Sequence, residues 1–128
     1  MERLGDMLRE RIPAASFALL IGSARDGRVP PGGDVDLAFY LYERPTLDFY
    51  TRVEQTVEEL VSGITCDVGV LNEAEPVYRF EALKGRLFFV REPEVYARFF
   101  SLTCREYESQ MADYERQRRY RLEAQRAG

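Results

Sequence analysis

The sequence predicts an α/β fold in which a small mixed sheet of about four strands is flanked by helices. Two observations support this prediction. Four short segments have the composition of strands, and stretches with helical spacing of apolar residues lie before, between and after them. In addition, the stretch from Pro93 to about Ala124 contains no glycine and no further proline, which predicts a long helical segment at the end of the chain.

The four predicted strands differ in how strongly the sequence supports them. The second has the clearest pattern, because every other side chain is apolar and these side chains share one face, at Val35, Leu37, Phe39 and Leu41. The first strand is an almost unbroken apolar run, and the third is rich in β-branched residues. The four predicted ranges are Ser16–Ile21, Asp34–Tyr42, Ile64–Leu71 and Arg86–Val90.

The predicted helices complete a single domain spanning residues 1–128, with a core at about 13–91 and a C-terminal helical segment at about 93–124. A short helix covers residues 2–11, and Pro13 ends it. Thr46 is a candidate N-cap for a helix that continues to about Val61. A shorter helix runs from about Glu75 to Leu83, and the last segment is one long helix or two with a kink.

Composition excludes several classes of function. The net charge of −4 argues against general nucleic-acid binding, which depends on a basic surface. The chain contains no histidine, so it has no histidine-based zinc site, histidine general base or Ser-His-Asp triad of its own. No apolar run is long enough to span a membrane and no signal-peptide core is visible, so we expect a cytoplasmic protein. Cys66 and Cys104 are expected to be free thiols, in keeping with a reducing compartment.

Three aspartates are the candidate catalytic and metal-binding residues. Asp34 and Asp36 lie two apart at the start of the second strand, so they share a face, and Asp67 lies in the third strand. Neighbouring carboxylates repel, and magnesium with oxygen ligands is the usual counter-charge when phosphates are present. The alternative is that Asp34 and Asp36 are solvated strand-start residues and that Asp67 caps a strand edge.

The residues that follow the first strand resemble a known family. The string from Gly22-Ser23 through Asp34-Val35-Asp36, followed by Cys66-Asp67-Val68, is similar to the nucleotidyltransferase superfamily related to DNA polymerase beta. More narrowly it resembles the minimal nucleotidyltransferases, or MNT proteins, and the stretch from Val70 to Phe89 also resembles them. The resemblance covers roughly residues 10–125 and implies the polymerase beta-like nucleotidyltransferase fold.

The resemblance implies roles for individual residues. Asp34 and Asp36 would bridge two magnesium ions, and Asp67 would hold the ion nearest the attacking hydroxyl. Gly22 and Ser23 would grip the triphosphate of ATP, and Arg25 and Arg28 are candidate phosphate contacts. This chain departs from the family in its loop, Ala24-Arg25-Asp26-Gly27, and in Gly33, which stands where a serine is frequent.

The resemblance also implies a function. Stand-alone MNT proteins are similar to the antitoxin half of type VII HEPN/MNT toxin–antitoxin pairs, which transfers AMP from ATP to a tyrosine of the HEPN ribonuclease toxin. The implied partner is therefore a HEPN protein, with no direct nucleic-acid contact and with a possible homodimer when alone. The alternatives are a binding antitoxin with a vestigial nucleotide site, and a nucleotidyltransferase that modifies a small molecule such as an antibiotic.

Two further groups of residues have open interpretations. The basic last third of the C-terminal segment, residues 115–126, is either a solvated helix end or a docking segment for a partner protein. Six aromatic residues are predicted to belong to the core rather than to a shelf that stacks on adenine, at Phe39, Tyr50, Tyr78, Phe80, Phe88 and Phe99.

Overall fold

The computed structural model describes residues 2–22 and 33–127, and these form four helices and four strands. Every element predicted from the sequence is present, with its ends displaced by at most a few residues. The segment after the last strand is one continuous helix. In chain order the elements are α1 (Glu2–Arg11), β1 (Ala15–Ile21), β2 (Asp34–Leu41), α2 (Leu47–Leu60), β3 (Thr65–Val70), α3 (Pro76–Leu83), β4 (Arg86–Val90) and α4 (Pro93–Ala127).

The four strands form one mixed sheet in the order β3-β2-β1-β4. Strand β1 pairs antiparallel with both β2 and β4, whereas β2 and β3 are parallel. Parallel neighbours need a crossover connection, and α2 provides it. The parallel pair places the starts of β2 and β3 at the same edge of the sheet, which is where the three candidate aspartates lie.

Both faces of the sheet are covered by helices. Helices α1 and α2 pack against one face, and the alternating residues of β2 lie fully or almost fully buried there, as predicted, at Val35, Leu37, Phe39 and Leu41. Helices α3 and α4 contribute Ala82 and Phe99 to a smaller cluster on the opposite face, around Phe17, Leu19 and Ala38. The resulting three-layer arrangement buries the central strands β1 and β2 on both sides.

Side-chain hydrogen bonds set the ends of the elements around the sheet. The Thr46 hydroxyl accepts a hydrogen bond of 3.2 Å from the backbone N–H of Phe49, which confirms Thr46 as the N-cap of α2. After β3, the side chain of Asn72 pairs with both backbone groups of Leu41, at 2.9 and 2.7 Å. Arg79 of α3 donates to the carbonyl of Leu71 at 2.8 Å and also to that of Asn72. Helix α3 is thereby tied to the end of β3.

Further sequence predictions can be compared with the structure. Cys66 and Cys104 are free thiols, as expected. In the part of the chain that the structure describes, no helix combines the length and apolar character that crossing a membrane requires. Phe39 and Phe99 are buried as predicted, but Tyr78 is 37% exposed, so the prediction that it belongs to the core is wrong.

Candidate active site

Asp36 and Asp67 occupy directly paired positions on the parallel strands β2 and β3. Side chains at paired positions point to the same face of a sheet and lie within contact distance of each other. The face concerned is the one that α3 and α4 cover, because the neighbouring residues Val35 and Leu37 pack against α1 and α2 instead. Asp36 is half-buried and Asp67 is exposed. The sequence pattern predicted this pair, and the register of the two strands brings it together.

Asp34 lies on the same face of β2 but two residues nearer the start of the strand, opposite Thr65, and it is exposed. Of the three candidate carboxylates, only those of Asp36 and Asp67 therefore lie level with each other. In residues 2–22 and 33–127, no three carboxylate or thiol side chains are gathered closely enough to form a complete ligand set for a metal ion. The side chains that the structure brings together are Asp36 and Asp67, with Asp34 beside them.

The acidic surroundings change the protonation of Asp36. Burial raises the pKa of this carboxyl above its ordinary value of 3.8, and a hydrogen bond with Asp67 raises it further. The negative charges of Asp67 and Asp34 also raise the pKa. Two carboxylates in contact favour sharing a proton over both being ionised. The pair therefore needs a proton or a cation beside it.

Within the described part of the chain, no arginine or lysine forms an ion pair with Asp34, Asp36 or Asp67. Carboxylate oxygens are the ligands that magnesium prefers in proteins. The donor chemistry of Asp34, Asp36 and Asp67 consequently fits a hard divalent cation, and an ion would supply the charge that these residues lack.

Gly22 follows β1 immediately and lies against Asp36. A Cβ atom at residue 22 would be 2.7 Å from Oδ2 of Asp36, a distance that real side chains do not adopt. The backbone of Gly22 also has φ of 74°, in the left-handed region that favours glycine. The glycine that the sequence singles out as part of a phosphate-binding turn is thus required both by backbone conformation and by the close approach of a candidate catalytic carboxylate.

The remaining residues of the predicted phosphate-binding turn lie outside the described residues. These are Ser23, Arg25 and Arg28. Gly33, which stands in the position of the frequent family serine, directly precedes β2. The assignments of Ser23, Arg25 and Arg28 to phosphate contacts remain predictions.

The sequence interpretation missed one residue that faces the acidic pair. Tyr78 of α3 directs its hydroxyl against Gly69 of β3, so closely that a Cβ atom at residue 69 would overlap it. Burial raises the pKa of Tyr78, and the negative charges of Asp36 and Asp67 raise it further, in that order. One signal in the sequence was available: Gly69 lies two residues after Asp67, so it leaves an open space on the same face of the strand.

Comparisons with known proteins show the family and the fold of this chain. Residues 2–94 match the family described as Polymerase beta, Nucleotidyltransferase. No curated protein sequence matches the chain.

Solved structures share the fold. A chain from a variant of the MntA-HpeT toxin–antitoxin matches with a TM-score of 0.73 and 17% identity over 90% of this chain and 93% of that chain. A chain of a toxin–antitoxin structure with AMP-PNP matches with a TM-score of 0.71 and 18% identity, over 89% of this chain and 92% of that chain. A chain of a complex of the tri-AMPylated Shewanella oneidensis HEPN toxin with MNT antitoxin matches with a TM-score of 0.66 and 17% identity, over 90% of this chain and 93% of that chain. At these identities the likeness shows the fold alone. The family match covers most of the chain, from α1 into the start of α4, so this protein belongs to the polymerase beta-type nucleotidyltransferase family.

Proposed function

We propose that this protein is a magnesium-dependent adenylyltransferase that acts as an antitoxin. In this proposal it transfers AMP from ATP to a tyrosine of a HEPN ribonuclease toxin and thereby neutralises the toxin in the cytoplasm. The observation that carries the proposal is the in-register pair of Asp36 and Asp67, with Asp34 beside it and Gly22 against Asp36. Nucleotidyl transfer needs such a group of carboxylates next to a turn that can approach phosphate closely.

In the proposed reaction, the phenolic oxygen of the acceptor tyrosine attacks the α-phosphorus of ATP. A bond forms between these two atoms, the bond from the α-phosphorus to the bridging oxygen breaks, and pyrophosphate leaves. The phenolic proton is released to water. The protein contributes mainly by positioning the reactants and by placing negative ligands where cations are needed.

Asp34, Asp36 and Asp67 would hold magnesium, with one or two ions as the family resemblance implies. Bound magnesium would lower the pKa of the attacking hydroxyl and neutralise charge on the leaving pyrophosphate. Gly22 would present its backbone N–H to the triphosphate. A side chain at this position would collide with Asp36, so the turn requires a glycine here. Ser23 and Arg25 are the proposed phosphate contacts on the same turn.

The proposed partner rests on the structural neighbours. Chains of the same fold belong to toxin–antitoxin structures, and one complex pairs an MNT antitoxin with a tri-AMPylated HEPN toxin. This chain spans at least nine-tenths of the length of those neighbours. The exposed end of α4, with Tyr114 and Tyr120 at 56% and 69% exposure, is the proposed docking segment for the toxin.

Label transfer tests the proposal directly. The protein is incubated with magnesium and ATP labelled on the α-phosphate or on the γ-phosphate, with a HEPN protein encoded beside it as the acceptor. We expect the acceptor to take up α-label only, and chelation of magnesium to abolish the transfer. Mass spectrometry should then locate AMP on a tyrosine of the acceptor.

Two substitutions that each remove one negative charge make the test specific. Asp36→Asn should abolish labelling, whereas Asp48→Asn should leave it intact, because Asp48 lies in the first turn of α2, beyond the far end of β2. Toxin neutralisation that survives Asp36→Asn without label transfer would instead identify a binding antitoxin. Label transfer to an antibiotic but not to the HEPN protein would identify a small-molecule nucleotidyltransferase.

A further inference from the structure

Tyr78 of helix α3 lies against the strand that carries Asp67. Its hydroxyl lies against the backbone of Gly69 in the space that any other residue's Cβ would fill. Gly69 pairs with Ala38 across the two parallel strands, and both lie two residues beyond the Asp36–Asp67 pair. Side chains two apart on a strand share a face. The Tyr78 hydroxyl therefore lies at the base of the acidic pair, on the same face of the sheet.

Burial raises the pKa of this hydroxyl most, and the negative charges of the two carboxylates raise it further. Asp36 and Asp67 are the charged groups whose field acts on Tyr78. Within the described residues, the Tyr78 hydroxyl takes part in no hydrogen bond to another side chain or to the backbone. Its O–H donor is thus available to a water molecule between it and the two carboxylates.

Helix α3 holds Tyr78 at a set distance from the strands. The next residue, Arg79, donates to the backbone carbonyls that follow β3 and stacks its guanidinium over Phe99 at 5.3 Å from the ring centroid. Phe80 stacks on Tyr107 of α4 with ring centroids 3.8 Å apart. Because the two residues that follow Tyr78 are anchored in this way, the backbone of α3 cannot carry Tyr78 away from Gly69 without disturbing these contacts.

We propose that Tyr78 is a positioning residue of the nucleotidyl-transfer site: its hydroxyl, which fits against Gly69, hydrogen-bonds to a water molecule that bridges to the Asp36–Asp67 pair and so orients these carboxylates for magnesium. This inference rests on the proposed function of the same site. Hydrogen bonds to metal-binding carboxylates fix their orientation, and losing such a partner typically weakens metal binding by 10–100-fold. A phenol held by a helix is a rigid donor, since its ring has only two rotatable side-chain bonds.

The test is magnesium affinity measured by isothermal titration calorimetry on the full-length protein. Tyr78→Phe removes only the hydroxyl, and we expect magnesium to bind roughly 10-fold or more weakly. Tyr96→Phe is the matched control, because Tyr96 packs edge-on against Phe17 in the core beneath α4, away from the acidic pair. In label transfer, we expect kcat of Tyr78→Phe to fall while KM for the acceptor stays unchanged.

Gly69→Ala tests the same contact from the side of the strand. The added methyl group pushes the Tyr78 hydroxyl out of its place, so this change should also weaken magnesium binding. In the Tyr78→Phe background the same change should have much less effect, because the displaced atom is already absent. Such non-additivity is what a shared interaction produces.

The outcomes separate this inference from the proposed function. If Asp36→Asn abolishes magnesium binding but Tyr78→Phe binds magnesium as tightly as the unmodified protein, the positioning role is wrong and the site stands. If Asp36→Asn leaves magnesium binding unchanged, the proposed metal site itself fails. A loss of affinity that is equal in Tyr78→Phe and Tyr96→Phe would also overturn the positioning role.

Discussion

Gly22 and Asp36 approach so closely that only a residue without a side chain is accommodated between β1 and β2 at the candidate active site. A Cβ at residue 22 would lie 2.7 Å from the Asp36 carboxylate, and the backbone there has φ of 74°. The positions of Gly22 and of the candidate metal ligand Asp36 are consequently coupled. A substitution that enlarges residue 22 therefore displaces the Asp36 carboxylate.

Gly22→Ala is expected to reduce adenylyl transfer by at least about 10-fold, because the methyl group displaces the carboxylate from its place. It should also destabilise the fold by about 1–2 kcal/mol, the usual cost of a non-glycine residue in the left-handed region. Urea unfolding measures the second effect and label transfer the first.

Gly63→Ala is a matched control for this substitution. Gly63 has nearly the same backbone conformation, with φ of 79°, but a Cβ there would meet nothing within 4 Å. It should lose similar stability and keep its activity. Equal activities of the two variants would show that the close contact with Asp36 is irrelevant to the reaction.

The raised pKa of Asp36 predicts how stability changes with pH when magnesium is removed. Above 3.8 an ordinary aspartate in the unfolded chain has lost its proton, whereas folded Asp36 retains it because of burial and the neighbouring Asp67. Unfolding therefore releases a proton in this range, so raising the pH favours unfolding. The free energy of unfolding should fall from pH 3.8 up to the raised pKa of the folded protein and then level off.

Urea unfolding in EDTA across this range checks the prediction, with Asp36→Asn as the comparison. The variant cannot ionise at this position, so its stability should lack the decline attributed to Asp36 and should exceed that of the unmodified protein at neutral pH. Magnesium at neutral pH should stabilise the unmodified protein and leave Asp36→Asn unchanged. Parallel pH profiles for the two proteins would contradict the prediction.

Glu92 should contribute a pH dependence of stability whose sign is opposite to that of Asp36. Its carboxylate accepts hydrogen bonds from Tyr42 and, at 2.7 Å, from Ser16, and these bonds lower its pKa below 4.5. Its stabilising contribution is present above pH 4.5 and is lost as the pH falls through the lowered pKa of the folded state. In Glu92→Gln this acid-induced loss should disappear, whereas Glu94→Gln, in the first turn of α4, should retain it. Identical acid unfolding of both variants would exclude this role.

Cys66 should be an unusually unreactive thiol. Burial raises its pKa to about 12, and the charges of Glu54, Asp67 and Asp36 contribute to the increase. At pH 8 about one thiol in 10,000 is then ionised, against roughly a quarter of free cysteine thiols. In a Cys104→Ser protein, iodoacetamide should modify Cys66 more than about 100-fold more slowly than free cysteine. Unfolding in urea should restore the ordinary rate, and fast labelling of the folded protein would refute the prediction.

Sequence patterns predicted the fold well because each pattern has one strong local cause. The alternation of Val35, Leu37, Phe39 and Leu41 leaves one strand face to bury, and Thr46 supplies an acceptor at the start of α2. The acidic residues of the candidate site were recognised for a similar reason. Asp34 and Asp36 share a face in any strand, and Gly22 ends the preceding apolar run.

Other features depend on how separate segments meet. The local pattern places Asp67 in a strand, but only the register between β2 and β3 sets it opposite Asp36 rather than Asp34. The aromatic character of Tyr78 predicted a place in the core, yet its hydroxyl faces the carboxylates. The reason is that Arg79 ties α3 to the end of β3 through hydrogen bonds to the backbone carbonyls of Leu71 and Asn72, and the local apolar pattern of the helix does not show these bonds.

The residue types, their alternation and their spacing thus determined the secondary structure, the family and the identity of the acidic residues, because these depend on short-range geometry. The tertiary structure alone decided which two carboxylates become neighbours and which helix faces them. It also gave Gly22, Gly69 and Tyr78 their significance, because steric space and electrostatic fields arise only once strands and helices are packed together.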